Sequence, residues 1–287
     1  MNFITGYTGM LNLGSAGFMA IGAYSYAIFT CDIYPFQFNF FQGCLIAILF
    51  GAISGYFIWL PVIRLSGDYL AIVTLGFGEI VKDVIRNLDI VTKGAQGINP
   101  LPPPVFLNIV FDAASYRPWY YLVLTTLFLL ILLNNLLYHS FIGRRWIALR
   151  EDELASKCMG NNTSLDKLAS FCLGSAISAL AGAIWASFLG SSGEPGNYDF
   201  QISVVALCIV IIGGLGSISG AILGAFVVVG FNSIILEKIS SYLLQSGIID
   251  SSSVFLSPSN WKYMIFGFLL ILMMRYRPEG FLSRVAK

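Results

Sequence analysis

Charged residues are scarce in this 287-residue sequence. Asp, Glu, Lys and Arg make up 11% of it, against about 25% in soluble domains, whereas hydrophobic residues make up 57%. This composition excludes an ordinary soluble domain and indicates an integral membrane protein. The formal net charge is only +1, so the charge balance does not suggest that the protein binds nucleic acid or an acidic substrate.

The sequence also lacks the motifs of several kinds of chemical site. It has no GxxxxGK[ST] phosphate loop, so we expect that it does not bind ATP by that device and that energy would come from a partner. We also expect no resident cofactor and no enzymatic activity. The only histidine, His139, ends an apolar run and is expected at the membrane interface. The N-terminus has neither a basic region nor a cleavage site, so we expect the first apolar segment to be retained. Five cysteines show no paired spacing and are expected only to pack: Cys31, Cys44, Cys158, Cys172 and Cys208.

The apolar runs are long enough for membrane helices. Each is uncharged, or nearly so, for about 20 residues, the length with which a helix crosses the hydrocarbon core, whereas strands would need only about 10 alternating residues. We predict an all-α transmembrane bundle of about eight spans. The glycines of 213–220 interrupt one run, and a tight turn between two spans is favoured over a broken helix. The predicted spans are 11–30, 44–63, 69–87, 119–137, 168–189, the two halves of 202–236, and 261–274.

Small residues recur at helical spacing in three of these runs. Gly14 and Gly17 lie in a glycine-dense stretch that is expected in the bundle interior, where it packs closely or lines a passage. The pair Gly51 and Gly55 has GxxxG spacing, and a third stripe consists of Gly174, Ser178 and Gly182. These patterns predict close helix contacts.

The span 69–87 carries charges at membrane depth. Glu79 lies roughly 15 Å along the predicted helix, and Lys82 and Asp83 follow one turn later. Burying these groups without partners would be costly, so they must face protein or water. Two interpretations stay open: internal ion pairs, Glu79 with Lys82 and Asp83 with Arg86, or the polar lining of a translocation path.

Residues 141–167 form a polar island between apolar runs. Nine of the 27 residues are charged, whereas the whole chain has 16 basic and 15 acidic residues. We predict a surface helix at 146–159 with Ile147, Leu154 and Cys158 on one face, although a solvated loop is the alternative. Gly160 is expected to end the helix, and the capping box at 163–166 to start the next span.

The distribution of basic residues predicts the orientation. The island, Arg64 and the C-terminal tail carry most of the Lys and Arg, and the positive-inside rule places all three in the cytoplasm. Both termini are then cytoplasmic, and the loops 31–43, 88–118, 190–201 and 237–260 lie outside. We treat 1–287 as one transmembrane domain that contains the loop 141–167.

Four stretches resemble signatures of a known family. REDELASKCMG, residues 150–160, resembles the cytoplasmic EAA-like coupling motif of ABC importer permeases, in the form found in the branched-chain amino-acid permease family, which includes urea and amide permeases. Three further stretches resemble that family in the expected order: GYTGMLNLGSAGFMAIGAY (6–24), LSGDYLAIVTLGFGEIVK (65–82) and IIGGLGSISGAILGA (211–225). Members usually carry further hydrophobic sequence before the GYxG stretch, whereas five residues precede it here. The interval from Glu153 to Gly160 is one residue longer than the commonest spacing.

The resemblance implies a multi-pass inner-membrane permease. It implies as partners two ATP-binding cassette subunits, a second homologous permease subunit, an extracytoplasmic substrate-binding protein and membrane lipid. The family's coupling role falls on Glu153, Ala155 and Gly160, with Arg150 as a flanking contact. The implied substrate is a branched-chain or other hydrophobic amino acid, with urea or a short amide as the alternative.

The residues alone leave two other function classes open. A gradient-driven transporter or channel would use Glu79 and Asp83 as a proton or ion relay. A structural membrane protein would use the glycine stripes only for packing.

Overall fold

The computed structural model describes residues 1–62, 65, 67–106, 109–111, 116–231, 238, 262–277 and 280–282. These residues form two compact units. The first contains Met1 and Phe3–Ser203, and the second contains Asn2 and the described part of Val204–Lys287. Helices dominate both units, which confirms the predicted all-α membrane bundle.

The elements of the first unit begin with a π-helical turn at Asn2–Tyr7. The α-helices that follow are α1 (Ser15–Thr30), α2 (Phe40–Val62), α3 (Asp68–Asn87), α4 (Asp89–Thr92), α5 (Tyr116–His139), α6 (Phe141–Glu151), α7 (Glu153–Cys158) and α8 (Thr163–Leu189). Short 3₁₀ turns lie at Gly94–Gln96 and Pro195–Tyr198, and two-residue strands β1 (Val105–Phe106) and β2 (Ile109–Val110) pair antiparallel. Helix α9 (Phe200–Gly213) begins in the first unit and continues into the second, which also contains α10 (Ile218–Gly230) and α11 (Lys262–Tyr276).

Helices α1, α2 and α8 pack closely through small residues. A Cβ added to Gly55 would lie 2.2 Å from Ser175 Oγ, and one added to Gly22 would lie 2.0 Å from the Ala179 carbonyl oxygen. A side chain at either glycine would therefore force the helices apart. Gly182 makes the same close approach to Met19 of α1. The predicted small-residue contacts are confirmed, since Gly51 and Gly55 both face α8.

Helix α5 packs much less closely than its neighbours. Only Trp119 and Asn134 are buried among its 24 residues. Apolar grooves of about 600 Å³ and 840 Å³ lie along it, one beside α8 and the other between α2 and α5. Asn134 Oδ1 accepts a hydrogen bond of 2.6 Å from Tyr7 Oη, which ties α5 to the N-terminal segment.

The second unit contains a helical hairpin. Helix α9 ends at Gly213, and α10 begins at Ile218 after a turn in which Gly214 and Gly216 have φ of 120° and 80°. A Cβ on Gly213 would lie 2.1 Å from the Gly220 carbonyl oxygen, and one on Gly224 would lie 2.2 Å from that of Ile209. These contacts show that the two helices run antiparallel side by side and are joined by the predicted tight turn, whereas the prediction that each half spans the membrane stays a prediction.

Four helices of the described chain are long and apolar enough to cross a membrane. They are Phe40–Val62, Tyr116–His139, Thr163–Leu189 and the stretch Pro195–Gly213, while Ile218–Gly230 is a shorter apolar helix. The prediction of eight spans therefore remains a prediction, as does the orientation. Several residues on which the span count and the orientation were predicted lie outside the described residues: Ile63, Arg64, 232–237, Trp261 and the tail from 283.

The predicted start of the first span is wrong. The first span was placed at 11–30, but α1 begins only at Ser15, and residues 8–14 are irregular. Asn12 Oδ1 accepts a hydrogen bond of 2.9 Å from the Gly14 amide, which satisfies this backbone locally and delays the helix.

Candidate coupling and translocation sites

The polar island folds as two helices rather than one. Asp152 leaves the helical conformation, with φ −157°, and its Oδ1 accepts hydrogen bonds from the amides of Leu154 (2.8 Å) and Ala155 (3.1 Å). This side chain caps the start of α7 and so separates it from α6. The prediction of one continuous helix at 146–159 is therefore wrong.

The buried face of the island also differs from the prediction. Trp146 and Leu149 of α6 are buried, and Trp146 Nε1 donates a 3.1 Å hydrogen bond to the Asp166 carbonyl oxygen. By contrast, Leu154 and Cys158, which were predicted to share an inner face with Ile147, are exposed. The break at Asp152 explains the difference, because it resets which side of the chain faces inward.

Two ion pairs join α6 and α7 to α8. Arg145 Nη2 lies 3.0 Å from Asp166 Oδ2, a contact at ion-pair distance that does not form an aligned hydrogen bond. Lys167 Nζ donates to both carboxylate oxygens of Glu153, at 2.9 and 3.0 Å. Asp166 and Lys167 are both buried, so these pairs fix α6 and α7 firmly to α8.

For Glu153, the expected role in ATPase coupling stays a prediction. Its carboxylate is occupied within the chain, by Lys167 and by Lys157 at 2.9 Å. Partial burial disfavours the charged carboxylate, but hydrogen bonds and charge from the two lysines outweigh burial and lower its pKa below the usual range. Glu153 therefore holds α7 in position.

Four residues of α7 and its C-terminal end form an exposed tip with apolar side chains. Leu154 and Met159 are 74% and 83% exposed, and Ala155 and Cys158 are also exposed. Gly160 has φ +83° and no atom within 4 Å of an added Cβ, so it ends the helix as predicted through its backbone conformation alone. The capping box predicted at 163–166 is wrong, because Asn162 caps α8 by accepting from the Leu165 amide.

Arg150 lies at the C-terminal end of α6 and contacts the N-terminal segment. Its Nη1 donates a 2.8 Å hydrogen bond to the Gly6 carbonyl oxygen, and its Cγ lies 3.0 Å from where a Cβ on Gly9 would be. A cleft of about 270 Å³ adjoins this contact. Its polar lining comes from the island and its apolar lining includes Met10, Leu11 and Leu70.

The glycines predicted for the translocation path lie where α1 meets α3. A Cβ on Gly14 would lie 2.5 Å from the Thr74 carbonyl oxygen, and one on Gly17 would lie 2.9 Å from Gly78 Cα. The Leu13 amide donates a 3.0 Å hydrogen bond to Thr74 Oγ1. The absence of side chains at these glycines is thus required by the close approach of two backbones.

The charged groups of α3 are only partly paired as predicted. Lys82 Nζ lies 2.5 Å from Glu79 Oε2, which confirms one predicted pair, and 2.8 Å from Oδ1 of Asp199, just before α9. Asp83 and Arg86 are exposed and form no ion pair with any residue the structure describes, so that predicted pair is wrong. The three paired groups form a partly exposed cluster that joins α3 to the turn before α9.

Comparison with known proteins identifies the family of the chain. Residues 1–274 match the model of the family described as branched-chain amino acid transport system / permease component. The chain belongs to this permease family. No solved structure matches the chain.

Curated relatives of the permease chain carry transport names. It is 34% identical over 303 residues to the high-affinity branched-chain amino acid transport system permease protein LivM of Escherichia coli K12, covering 98% of this chain and 66% of LivM. A probable LivM of Methanocaldococcus jannaschii is 28% identical, over 82% of this chain and 66% of that protein. The autoinducer 2 import system permease LsrC of Salmonella paratyphi B is 25% identical, over 68% and 55%. The chain thus spans just under two thirds of the length of the two LivM proteins.

Sequence reasoning missed several groups at these permease sites. Asp166 was assigned to a capping box, and Asp199 was treated only as part of the outer loop 190–201. Both are acidic residues next to predicted spans, which is a signal for a partner on another helix. Neither partner, Arg145 nor Lys82, can be chosen from spacing along one helix, because each pair joins two helices.

Proposed function

We propose that this chain is the membrane-spanning permease subunit of an ATP-driven importer. It would work with two ATP-binding cassette subunits, a second homologous permease subunit and an extracytoplasmic substrate-binding protein. Its location would be the cell's inner membrane, with both termini and the 141–167 island in the cytoplasm. Substrate access would alternate between the two sides as the partners bind and hydrolyse ATP.

The observation that carries this proposal is the exposed tip of α7. Leu154 in α7 and Met159 just after it expose large apolar surfaces, and the Glu153–Lys167 ion pair holds this short helix against α8. Exposed apolar groups on an anchored element favour a protein partner. A tip fixed in this way can pass a partner's movement to α8 as a rigid-body displacement.

The α3 cluster supports a polar translocation path. The Glu79 and Asp199 side chains are 38% and 45% exposed, and such groups cannot face lipid at low cost. They would face water or the second permease subunit. We assign Gly14, Gly17, Glu79, Lys82 and Asp83 to this path.

The proposed substrate is a branched-chain or other hydrophobic amino acid. Support comes from the names of the two LivM relatives, which state branched-chain amino acid transport. The α3 cluster offers both signs of charge, which suits a zwitterion.

The test is uptake by the complex reconstituted in liposomes. Purified chain, its copurifying ATPase subunits and the binding protein would be given labelled leucine, with ATP inside the vesicles. We expect uptake that requires ATP, survives collapse of the membrane gradient and is inhibited by isoleucine and valine. Inhibition by urea or acetamide instead would reassign the substrate, and uptake that depends on the gradient and not on ATP would refute the proposal.

A variant of the tip separates docking from folding. Leu154→Asp places a charge on an exposed position and should leave the fold intact, but it should release the ATPase subunits. The matched control is Lys157→Gln, which changes an exposed polar residue of the same helix and should retain them. Retention of the ATPase subunits by Leu154→Asp would contradict the assignment of the tip.

A further inference from the structure

The N-terminal segment, residues 3–14, passes directly against α6. Tyr7 stacks on Trp146, with ring centroids 6.5 Å apart and an angle of 25°, and Phe3 meets the same indole edge to face at 6.4 Å. Trp146 is fully buried. Movement of α6 must therefore displace this segment or break these contacts, because packed side chains do not deform continuously.

Arg150 makes the polar part of this contact. Its guanidinium donates to the Gly6 carbonyl oxygen at 2.8 Å, and its aliphatic stem packs against Gly9. Gly9 has φ +70°, a conformation that favours glycine, and an added Cβ would lie 3.0 Å from Arg150 Cγ. The backbone of the segment is thus shaped to admit the arginine stem.

The other end of the segment is fixed at the proposed path. Leu13 and Gly14 contact Thr74 of α3, and the first turn of α1 is bound to Ser203, whose Oγ accepts hydrogen bonds from Ser15 Oγ (3.2 Å) and the Ala16 amide (2.9 Å). Only a few residues separate Gly9 from Leu13. So short a connection has little slack, since each residue spans at most about 3.6 Å.

This route differs from the ion pairs of the island. The Glu153–Lys167 and Arg145–Asp166 pairs lead to α8, whereas the Arg150 contact leads through residues 9–14 to α1 and α3. The proposed path residues Gly14, Gly17 and Glu79 belong to the second route. A displacement of the tip can therefore reach α3 without passing through α8.

We propose that Arg150 is a positioning residue. Through its contact with the N-terminal segment, where its stem packs against Gly9, it couples movement of α6 to the proposed translocation path. The proposal rests on the proposed function, because it assumes that a partner moves the island. Arg150 then acts within the chain and determines how much of the ATPase movement reaches α1 and α3. Loss of this contact leaves the partner docked and uncouples hydrolysis from transport.

The test compares uptake per ATP hydrolysed in the reconstituted complex. Arg150→Met keeps the aliphatic stem and removes the guanidinium, and Gly9→Ala disturbs the packing of that stem against Gly9. We expect either change to reduce uptake per ATP by about tenfold while the ATPase subunits stay bound and basal hydrolysis is retained. Arg150→Lys should recover part of the coupling. The matched control is Arg144→Met, which should couple normally, because among the described residues the Arg144 side chain donates to the nearby His139 carbonyl oxygen.

A double variant distinguishes transmission from a general structural defect. If Arg150 and Gly9 act through one contact, Arg150→Met with Gly9→Ala should be no worse than either change alone. Additive losses, or normal uptake per ATP in Arg150→Met, would overturn the inference. If the unaltered complex shows no ATP-driven uptake, the proposed function fails. If the unaltered complex transports and Arg150→Met transports equally well per ATP, only the inference about Arg150 fails.

Discussion

Glu153 and Lys167 form an ion pair in which one ammonium group bonds both oxygens of one carboxylate, at 2.9 and 3.0 Å. The lysine is 4% exposed, at the start of α8, and the glutamate begins α7. A buried ammonium group needs such a partner. The pair therefore sets the direction in which the exposed tip points.

The first prediction concerns the stability of this pair. Glu153→Gln should destabilise the folded chain by about 2 kcal/mol, because it leaves the buried Lys167 without a counter-charge while the glutamate's partial exposure moderates the loss. Lys157→Met removes only an exposed partner of the same carboxylate and should cost no more than about 1 kcal/mol. Thermal unfolding in one detergent would compare them, and equal losses would contradict the role of Lys167.

The same pair predicts a dependence on pH. The pKa of Glu153 is lowered in the folded protein, so its stabilising contribution is present above the unfolded pKa and is lost as the pH falls through the folded value. The difference in Tm between the unaltered protein and Glu153→Gln should therefore narrow below about pH 4. A series of unfolding curves would measure it, with Leu154→Ala as an uncharged control whose Tm difference stays constant. If the Tm difference between Glu153→Gln and the unaltered protein widened in acid, the result would contradict a lowered pKa of Glu153 in the folded protein.

The third prediction tests the cluster on α3. Lys82→Met should reduce uptake by at least about tenfold, because Glu79 and Asp199 would lose the cation they share. Arg86 lies one turn further along α3 and is exposed, so Arg86→Met should transport normally. Uptake would be measured at equal amounts of assembled complex. Equal activity of the two variants would remove Lys82 from the path.

The fourth prediction tests the end of α7. Gly160→Val should uncouple transport while membrane insertion is retained, since a β-branched residue at φ +83° costs at least about 1–2 kcal/mol and would shift the tip. Gly160→Asn should keep most activity, because asparagine tolerates this conformation. No atom lies near an added Cβ, so a difference between the two variants would report the backbone alone. Normal uptake by Gly160→Val would contradict the assignment of this turn.

The fifth prediction uses the native cysteines to test the orientation. Cys158 is exposed, Cys172 is partly buried and the other three are buried, so a membrane-impermeant maleimide should label Cys158 first. Labelling should occur in inside-out vesicles and not in intact cells, and bound ATPase subunits should slow it. Cys158→Ser is the control that should abolish the signal. Rapid labelling from the outside would place the island on the wrong side.

Most helices could be predicted because their signals are local. Span 69–87 differs from α3 by a single residue, and GxxxG spacing correctly placed Gly51 and Gly55 on one face, since helical periodicity fixes which residues share a side. The hairpin at 213–220 was likewise readable, because consecutive glycines favour a turn.

The candidate sites were less predictable because they depend on contacts between helices. An aspartate can lie within a helix or cap one, so the residue type of Asp152 does not predict the break between α6 and α7. Only the observed break shows that Leu154 faces outward. From the sequence alone, the carboxylate of Glu153 could equally well contact a partner protein or pair with Lys167. Side chains choose between such partners through tertiary distance, which spacing in one chain does not encode.

The sparse packing of α5 has a consequence for handling the protein. With two buried residues and a groove on each side, this helix draws much of its support from whatever solvates it. Harsh detergents that strip bound lipid should loosen α5 before the tightly packed α1, α2 and α8. Because α6 follows α5 after a single residue, solubilisation with retained lipid would preserve the geometry of the island as well.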